Sequence, residues 1–265
     1  MFLQTLLSSI LILWSPVGSA RFDGLRISGA SSYEFDFNPS SIMDTSEYEA
    51  LIGASFMKNY SMRIALKDSV TSQVGGAIGF VCVSEKIMCT GKREGGYLNI
   101  ASAYPFLISE KILMAAGGSV IYSWGDNMTP AFLHFGSGVK LTYKNLFSNF
   151  SPILGLSGYG RAALSESDKI FLPPNFFSVS VGLKSEEIFF GMQENLDFYK
   201  IMKTTESLGA EIKIFQWFNL RGGYSSDGTI GFGLGFVSPR FFLHISGMEK
   251  DGFGISVATG VIVAP

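Results

Sequence analysis

The stretch TIGFGLGF, residues 229–236, decides the fold class of this chain. Its large apolar members are Ile230, Phe232, Leu234 and Phe236. The positions between them hold one threonine and three glycines, and a period of two predicts a β-strand. A strand of a soluble sheet usually alternates apolar with charged residues, whereas the second face here is nearly bare backbone. The stretch therefore predicts the wall of a β-barrel in lipid.

The composition of the 265-residue chain agrees with a membrane wall. Hydrophobic residues make up 47% and charged residues 16%, against about 25% charged residues in ordinary soluble domains. So few charges cover a water-exposed surface poorly. The net charge of -2 offers no basic stripe for nucleic acid, so nucleic-acid binding is not expected.

The first twenty residues have the pattern of a secretory signal peptide. An apolar run over residues 6–14 is followed by small residues at 18–20, the arrangement that a signal peptidase requires. We therefore expect export, with residues 21–265 forming one outer-membrane barrel domain. No later apolar run approaches the about 20 residues of a transmembrane helix, so a membrane would be crossed by strands.

Short strand-like runs, separated by Gly, Asn, Asp, Ser and Pro, fill residues 48–265. We predict 14 antiparallel strands, an even number as bacterial barrels require. The predicted strands are 48–57, 61–68, 74–83, 96–105, 111–124, 131–144, 150–159, 176–184, 187–193, 207–215, 218–225, 229–237, 240–248 and 253–263. Residues 21–47 lack a clean period, and we expect them to lie inside or across the barrel mouth as a plug or hatch.

The predicted connections are unequal in length. Short turns are expected near Lys58-Asn59, Ser109-Glu110, Glu186, Gln216-Trp217 and Pro239, and longer connections at 84–95, 160–175 and 194–206. Outer-membrane barrels place short turns in the periplasm and longer loops outside.

A soluble secreted β-sandwich also alternates apolar with polar residues and is kept as an alternative. The aromatic residues near strand ends favour lipid, because aromatic girdles lie at membrane interfaces. They are Tyr104, Trp124, Tyr143, Trp217, Tyr224, Phe236 and Phe241.

Cys82 and Cys89 are the only cysteines and flank the sequence VSEKIM. A hairpin turning near Glu85-Lys86 would oppose them at a Cα separation of about 4.5–5.5 Å, which fits a disulfide. The alternative is two unpaired small residues. Two cysteines and two histidines make a metal site unexpected.

Basic side chains are expected to outnumber acidic ones on the lumen face. The candidate ligand contacts are Arg63, Lys67, His134, Lys140 and Lys213, with Phe242 as an apolar contact. One hypothesis is a path or pocket in which the basic groups hold the carboxylate or phosphate of an anionic amphiphile while Phe242 touches its tail. The alternative is ordinary lumen solvation, in which Glu49 and Glu211 pair with the cations.

The sequence contains no recognisable catalytic motif. His134 and His244 both face the predicted lumen, but no nucleophile and base occur at a recognisable spacing. The glycines of GFGLG lack the strand-turn-helix context of a phosphate-binding loop. We predict no enzyme and no cofactor.

Three segments carry a resemblance to a known family. YEFDFNPSSI (33–42) resembles an early "NPA" segment, with Asn38 and Pro39 matching. FGSGVKLTYKNL (135–146) resembles a mid-barrel strand, and residues 208–236 resemble closing hairpins. The family is that of outer-membrane barrels that includes FadL-type long-chain fatty-acid transporters and PorV/PorQ proteins.

The resemblance implies a 14-stranded barrel in the outer membrane of a diderm bacterium, with a plug motif at Asn38 and Pro39 that enters the lumen. Its lipid partner would be the outer membrane. We expect passive transport of small hydrophobic or amphipathic molecules. The alternative is a PorV-type barrel that handles a secreted protein at the outer membrane.

Overall fold

The computed structural model describes residues 38–44, 48–56, 60–84, 94–124, 130–146, 149–163, 176–197, 203–249 and 252–263. These residues form a short 3-10 helix, Pro39–Asp44, and 14 strands. The strands are β1 (Tyr48–Phe56), β2 (Tyr60–Asp68), β3 (Gly75–Ser84), β4 (Glu94–Leu107), β5 (Ile112–Trp124), β6 (Pro130–Tyr143), β7 (Ser151–Ala163), β8 (Phe176–Lys184), β9 (Ile188–Asp197), β10 (Lys203–Phe215), β11 (Phe218–Ser225), β12 (Ile230–Val237), β13 (Phe241–Glu249) and β14 (Phe253–Val263).

Each strand pairs antiparallel with its sequence neighbours, and β14 pairs with β1 to close the barrel. The closing seam runs without a break from Tyr48 opposite Val263 to Phe56 opposite Ile255. The predicted antiparallel barrel of 14 strands is confirmed. The largest differences in strand bounds are at β7, β9 and β10, which extend beyond the predicted runs 150–159, 187–193 and 207–215.

The outer face of the barrel is apolar on every strand. Each strand exposes at least one large hydrophobic side chain, and Ile52 of β1 and Phe232 of β12 are 57% and 52% exposed. A surface that is apolar all the way round far exceeds the patches that water-soluble proteins tolerate. The outer face is therefore built for lipid, which argues against the soluble alternative.

Two directly opposed carboxylates stand on the outer face, on β9 and β10. Glu194 of β9 and Glu206 of β10 are directly opposed and exposed, while their neighbours Gln193 and Ser207 are buried on the inner face. A charge on the lipid face is costly at mid-membrane and inexpensive near the interface. The pair marks one limit of the apolar band.

The barrel has two unlike ends. The turn end carries the connections 69–74, 108–111, 144–150, 185–187, 216–217 and 238–240, and the loop end carries 57–59, 85–93, 125–129, 164–175, 198–202, 226–229 and 250–252. The strand registers put the β1–β2 hairpin at the loop end, opposite the 69–74 connection. The predicted short turn near Lys58-Asn59 lies outside the described residues.

Aromatic rings cluster at both ends. At the turn end, Trp217 stacks on Phe215 and Phe236 with ring centroids 5.5 Å and 6.1 Å apart. At the loop end, Phe80 and Trp124 lie 5.5 Å apart. Such girdles suit the two membrane interfaces. Among the described residues, no helix is long and apolar enough to cross a membrane.

Candidate lumen site

The segment around Asn38 and Pro39 lies against the inner wall of the barrel. Asn38 is 4% exposed, and Ser40 and Ser41 are fully buried. The short helix that follows packs on β4, β5 and β6 and, at its edge, on β3. Residues 38–44 of the predicted plug are therefore inside the lumen, while its residues 21–37 and 45–47 lie outside the described residues.

Asn38 caps the short helix. Its Oδ1 accepts hydrogen bonds from the Ser40 backbone N at 3.1 Å and the Ser40 Oγ at 2.6 Å. The Asn38 carbonyl accepts two more, from the Ser41 backbone N at 3.0 Å and the Ser41 Oγ at 2.7 Å. Asparagine is among the best N-cap residues because its short side chain reaches these backbone donors. The segment thereby satisfies its own polar groups.

Ile42 joins the segment to the barrel core. It is fully buried in a cluster with Phe242 and Leu51. The rest of the cluster is small: Ala65, Ala77, Ala101, Ala103 and Ala258. Complete burial of an isoleucine side chain stabilises a contact by about 1.5–3 kcal/mol. The alanines leave the room that the three larger side chains fill, so the lumen is packed around Ile42.

Phe242, the predicted apolar ligand contact, is only 1% exposed. Its ring stacks on the imidazole of His244, with centroids 5.0 Å apart and an interplanar angle of 27°. A ligand reaches Phe242 only after Ile42 or another member of the cluster has moved.

The predicted basic contacts do not converge on one site. Arg63 and Lys67 lie on β2, His134 and Lys140 on β6, and Lys213 at the end of β10. The first four are buried, whereas Lys213 is exposed at the turn end. The structure therefore spreads these groups around the barrel.

Lys67 has an acidic partner on the next strand. Its Nζ lies 3.2 Å from Glu49 Oε1, and both side chains are almost completely buried. The two residues are directly opposed across β1 and β2. Removing one member of a buried ion pair leaves an uncompensated charge, so Lys67 serves first to neutralise Glu49.

His134 is bonded to a neighbouring strand. Its Nε2 lies 3.2 Å from Ser123 Oγ, and the imidazole is 1% exposed. Lys140, further along β6 towards the turn end, is 7% exposed. His134 is therefore a lumen histidine held by the neighbouring strand β5.

A charged cluster that the sequence interpretation missed lies on β10, β11 and β13. The Nε of Arg221 donates to Glu211 Oε2, and its Nη2 lies 3.0 Å from Nδ1 of His244. A hairpin turning at 216–217 pairs Glu211 with Arg221, so the hairpin signal could have found the ion pair. The position of His244 in this cluster could not be predicted from the sequence, because it depends on how β11 pairs with β12 and β12 with β13.

The glycine face of β12 makes room for this cluster. A Cβ added at Gly235 would fall within 3.0 Å of the Arg221 guanidinium and of His244 Nδ1, and one at Gly233 would crowd Ser246. The bare face of TIGFGLGF is the space that these long polar side chains occupy.

A groove of about 630 Å³ lies at the turn end beside the closing seam. Its lining includes Tyr48, Leu66, Ile78, Val261 and Val263, which belong to the outer face. The groove is part of the lipid-facing surface.

Cys82, near the end of β3, is disulfide-bonded. Cys89, the only other cysteine in the sequence, lies outside the described residues. No group of three or more His, Cys, Asp or Glu side chains that could hold a metal ion occurs within the described part of the chain.

A closed antiparallel barrel of 14 strands, apolar outside and polar within, defines this chain as a transmembrane β-barrel of the outer-membrane class. The solved structures that share its fold include the following three. The toluene transporter TbuX of Ralstonia pickettii is 8% identical, with a TM-score of 0.58 over 91% of this chain and 96% of that one. The monoaromatic hydrocarbon channel CymD is 11% identical, with a TM-score of 0.57 over 93% and 96%.

The third structure is the outer membrane protein Omp33 of Acinetobacter baumannii, 8% identical with a TM-score of 0.52 over 82% of this chain and 98% of that one. No family model matches the sequence, and no curated protein matches it. At these identities, the similarity is one of fold.

Proposed function

We propose that this protein is a passive outer-membrane channel for small hydrophobic or amphipathic molecules. The observation that carries the proposal is the position of the Asn38–Ile42 segment, which is buried inside the barrel and packed into the lumen core. Two barrels of similar fold are named as a toluene transporter and a monoaromatic hydrocarbon channel, which supports this substrate class.

The proposed route runs from the loop end to the turn end. The turn end faces the periplasm, because its connections are mostly short and outer-membrane barrels place short turns there. A molecule enters from outside, binds in the lumen and leaves when residues 21–47, acting as the hatch, shift around Asn38 and Pro39. Residues 1–20 are the signal peptide that directs export.

We assign the carboxylate or phosphate of an anionic substrate to two basic groups, Lys140 on β6 and Lys213 at the turn end. Lys140 lies on the inner face of the wall, and Lys213 is exposed where the proposed route ends. Glu49 and Glu211 form ion pairs with Lys67 and Arg221. Phe242 touches the apolar part of the molecule once Ile42 has moved.

Toluene and benzoate form a matched test pair, since they differ mainly by the carboxylate. We expect intact diderm bacteria that express the protein to take up both radiolabelled compounds faster than cells with an empty vector. Lys140→Glu and Lys213→Glu should slow benzoate more than toluene. Lys140→Met separates loss of the charge from charge reversal at this buried position.

Two results would contradict the proposal. The transport function is rejected if both compounds enter at the empty-vector rate although a heat-modifiable gel shift shows a folded barrel. The anionic substrate is rejected if benzoate uptake is unchanged in both charge-reversal variants. The PorV-type handling of a secreted protein stays a prediction, since no contact among the described residues favours it.

A further inference from the structure

Two inward-facing glycines lie directly under the buried segment. Gly117 of β5 and Gly138 of β6 are opposite each other in the strand register. The nearest atoms to both positions belong to Asn38, Pro39 and Ser40.

The space at these glycines is too small for any side chain while the segment is in place. A Cβ at Gly117 would lie 2.7 Å from the Pro39 carbonyl carbon and 2.8 Å from the Ser40 backbone N. A Cβ at Gly138 would lie 2.9 Å from Asn38 Cγ and closer still to Asn38 Oδ1. Cβ atoms essentially never approach other heavy atoms within 3.0 Å, so the segment or the wall would have to shift.

Glycines on the outer face of the same wall show no such restriction. A Cβ at Gly118 would meet only the Gly136 carbonyl oxygen, at 3.7 Å, and a Cβ at Gly160 of β7 would meet nothing within 4 Å. The close fit is therefore specific to the inner positions that face the segment.

The segment fits the wall by shape and not by hydrogen bonds. Within the described residues, the hydrogen bonds of Asn38, Ser40 and Ser41 all stay inside the segment. Its contacts with the wall are van der Waals and hydrophobic, so leaving the wall breaks no strong directional bond to it.

We infer that Gly117 and Gly138 form a seat that fixes the closed position of the segment, and that backbone shape at these two residues sets how often the segment leaves. The inference rests on the proposed function only for the consequence that an empty seat opens the channel. The position of the segment itself can be measured without any transported molecule.

The test uses Ser41→Cys as a reporter in the full chain, because Ser41 is fully buried and cysteine is close to it in size. A water-soluble maleimide should label this thiol slowly. Adding Gly117→Ala or Gly138→Ala should raise the labelling rate about tenfold, the change that a shift of about 1.4 kcal/mol in the opening equilibrium produces. Gly118→Ala and Gly160→Ala are the matched controls and should leave the rate unchanged.

Asn38→Ser provides a rescue for Gly138→Ala. Serine keeps the N-cap function and removes the side-chain atoms nearest to the added methyl group. Restored slow labelling in the double variant supports the seat. Fast labelling that persists in the double variant, or equal labelling in the inner and outer alanine variants, overturns it.

Labelling measures where the segment lies, and uptake measures whether the channel conducts. Fast labelling of the Ser41→Cys thiol together with unchanged toluene uptake would support the seat and contradict its role in transport. Unchanged labelling rejects the seat, whatever the uptake. If Gly138→Ala fails to fold, as judged by the gel shift, Gly117→Ala decides the question, since its clash is with the segment backbone.

Discussion

Arg221 donates a hydrogen bond to His244, with Nη2 and Nδ1 3.0 Å apart. A guanidinium has donors only and stays charged, so Nδ1 of the imidazole must be the acceptor. His244 is therefore neutral in this arrangement and carries its proton on Nε2. Because Glu211 holds the same guanidinium, the three side chains form one unit across β10, β11 and β13.

Removing the carboxylate of Glu211 should destabilise the barrel. We expect Glu211→Gln to lower the free energy of unfolding by about 2–4 kcal/mol, since it leaves the buried Arg221 without its counter-charge. Urea unfolding in phospholipid vesicles, followed by the heat-modifiable gel shift, measures the change. Glu206→Gln, on the exposed outer face of the same strand, is the control, and an equal loss there would reject the explanation.

A methyl group at Gly235 should separate Arg221 from His244. The added Cβ would occupy the space that both side chains use, and overpacking a filled interior costs about 1–3 kcal/mol. We expect Gly235→Ala to lower the unfolding free energy by this amount. A Cβ added at Gly222, on neighbouring β11, would have no heavy atom within 4 Å. Gly222→Ala should therefore leave the unfolding free energy unchanged in the same assay. Similar losses in both variants would point to glycine flexibility instead of to the cluster.

The outer face should reject charge according to depth. Ile52 lies in the middle of β1 and is 57% exposed, whereas Val263 ends β14 on the same face and is 55% exposed. An arginine costs about 2–4 kcal/mol at the bilayer midplane and about 0–1 kcal/mol near the interface. Ile52→Arg should therefore destabilise the barrel in vesicles much more than Val263→Arg. Equal effects would contradict the assignment of the outer face to lipid.

The two cysteines should be resistant to alkylation until they are reduced. Cys82 is disulfide-bonded, and the sequence offers only Cys89 as a partner within the chain. We expect mass spectrometry of the exported protein to show neither thiol alkylated under denaturing conditions, and both alkylated after reduction. Alkylation without reduction would show that the disulfide does not form.

The strands were predictable because the information for them is local. In residues 229–236, the alternation of large apolar residues with glycine is enough to predict which side of the strand faces lipid. The aromatic belt at Trp124, Trp217 and Phe236 followed from residue type and position near strand ends. These features need no knowledge of which strand lies beside which.

The contacts inside the lumen were less predictable because they depend on register and depth. Glu211 was expected to face cations, but its partner Arg221 was not singled out, and Lys213 was expected in a lumen site although it lies exposed at the turn end. The fit of Asn38 to Gly138 depends on how far the segment enters the barrel. Residues 21–47 have no local sequence period from which that depth could be predicted.

The closing seam between β1 and β14 has a consequence for the order of folding. It joins residues about 200 positions apart, as in the hydrogen bond from Ser256 Oγ to Ser55 Oγ, whose separation is 201. Closing so long a loop is entropically costly and slow. Every other pairing is made between neighbours in the sequence, so a growing sheet can form early while the first strand waits with an unpaired edge. That edge would be the site of mispairing with other chains until the last strand pairs with it.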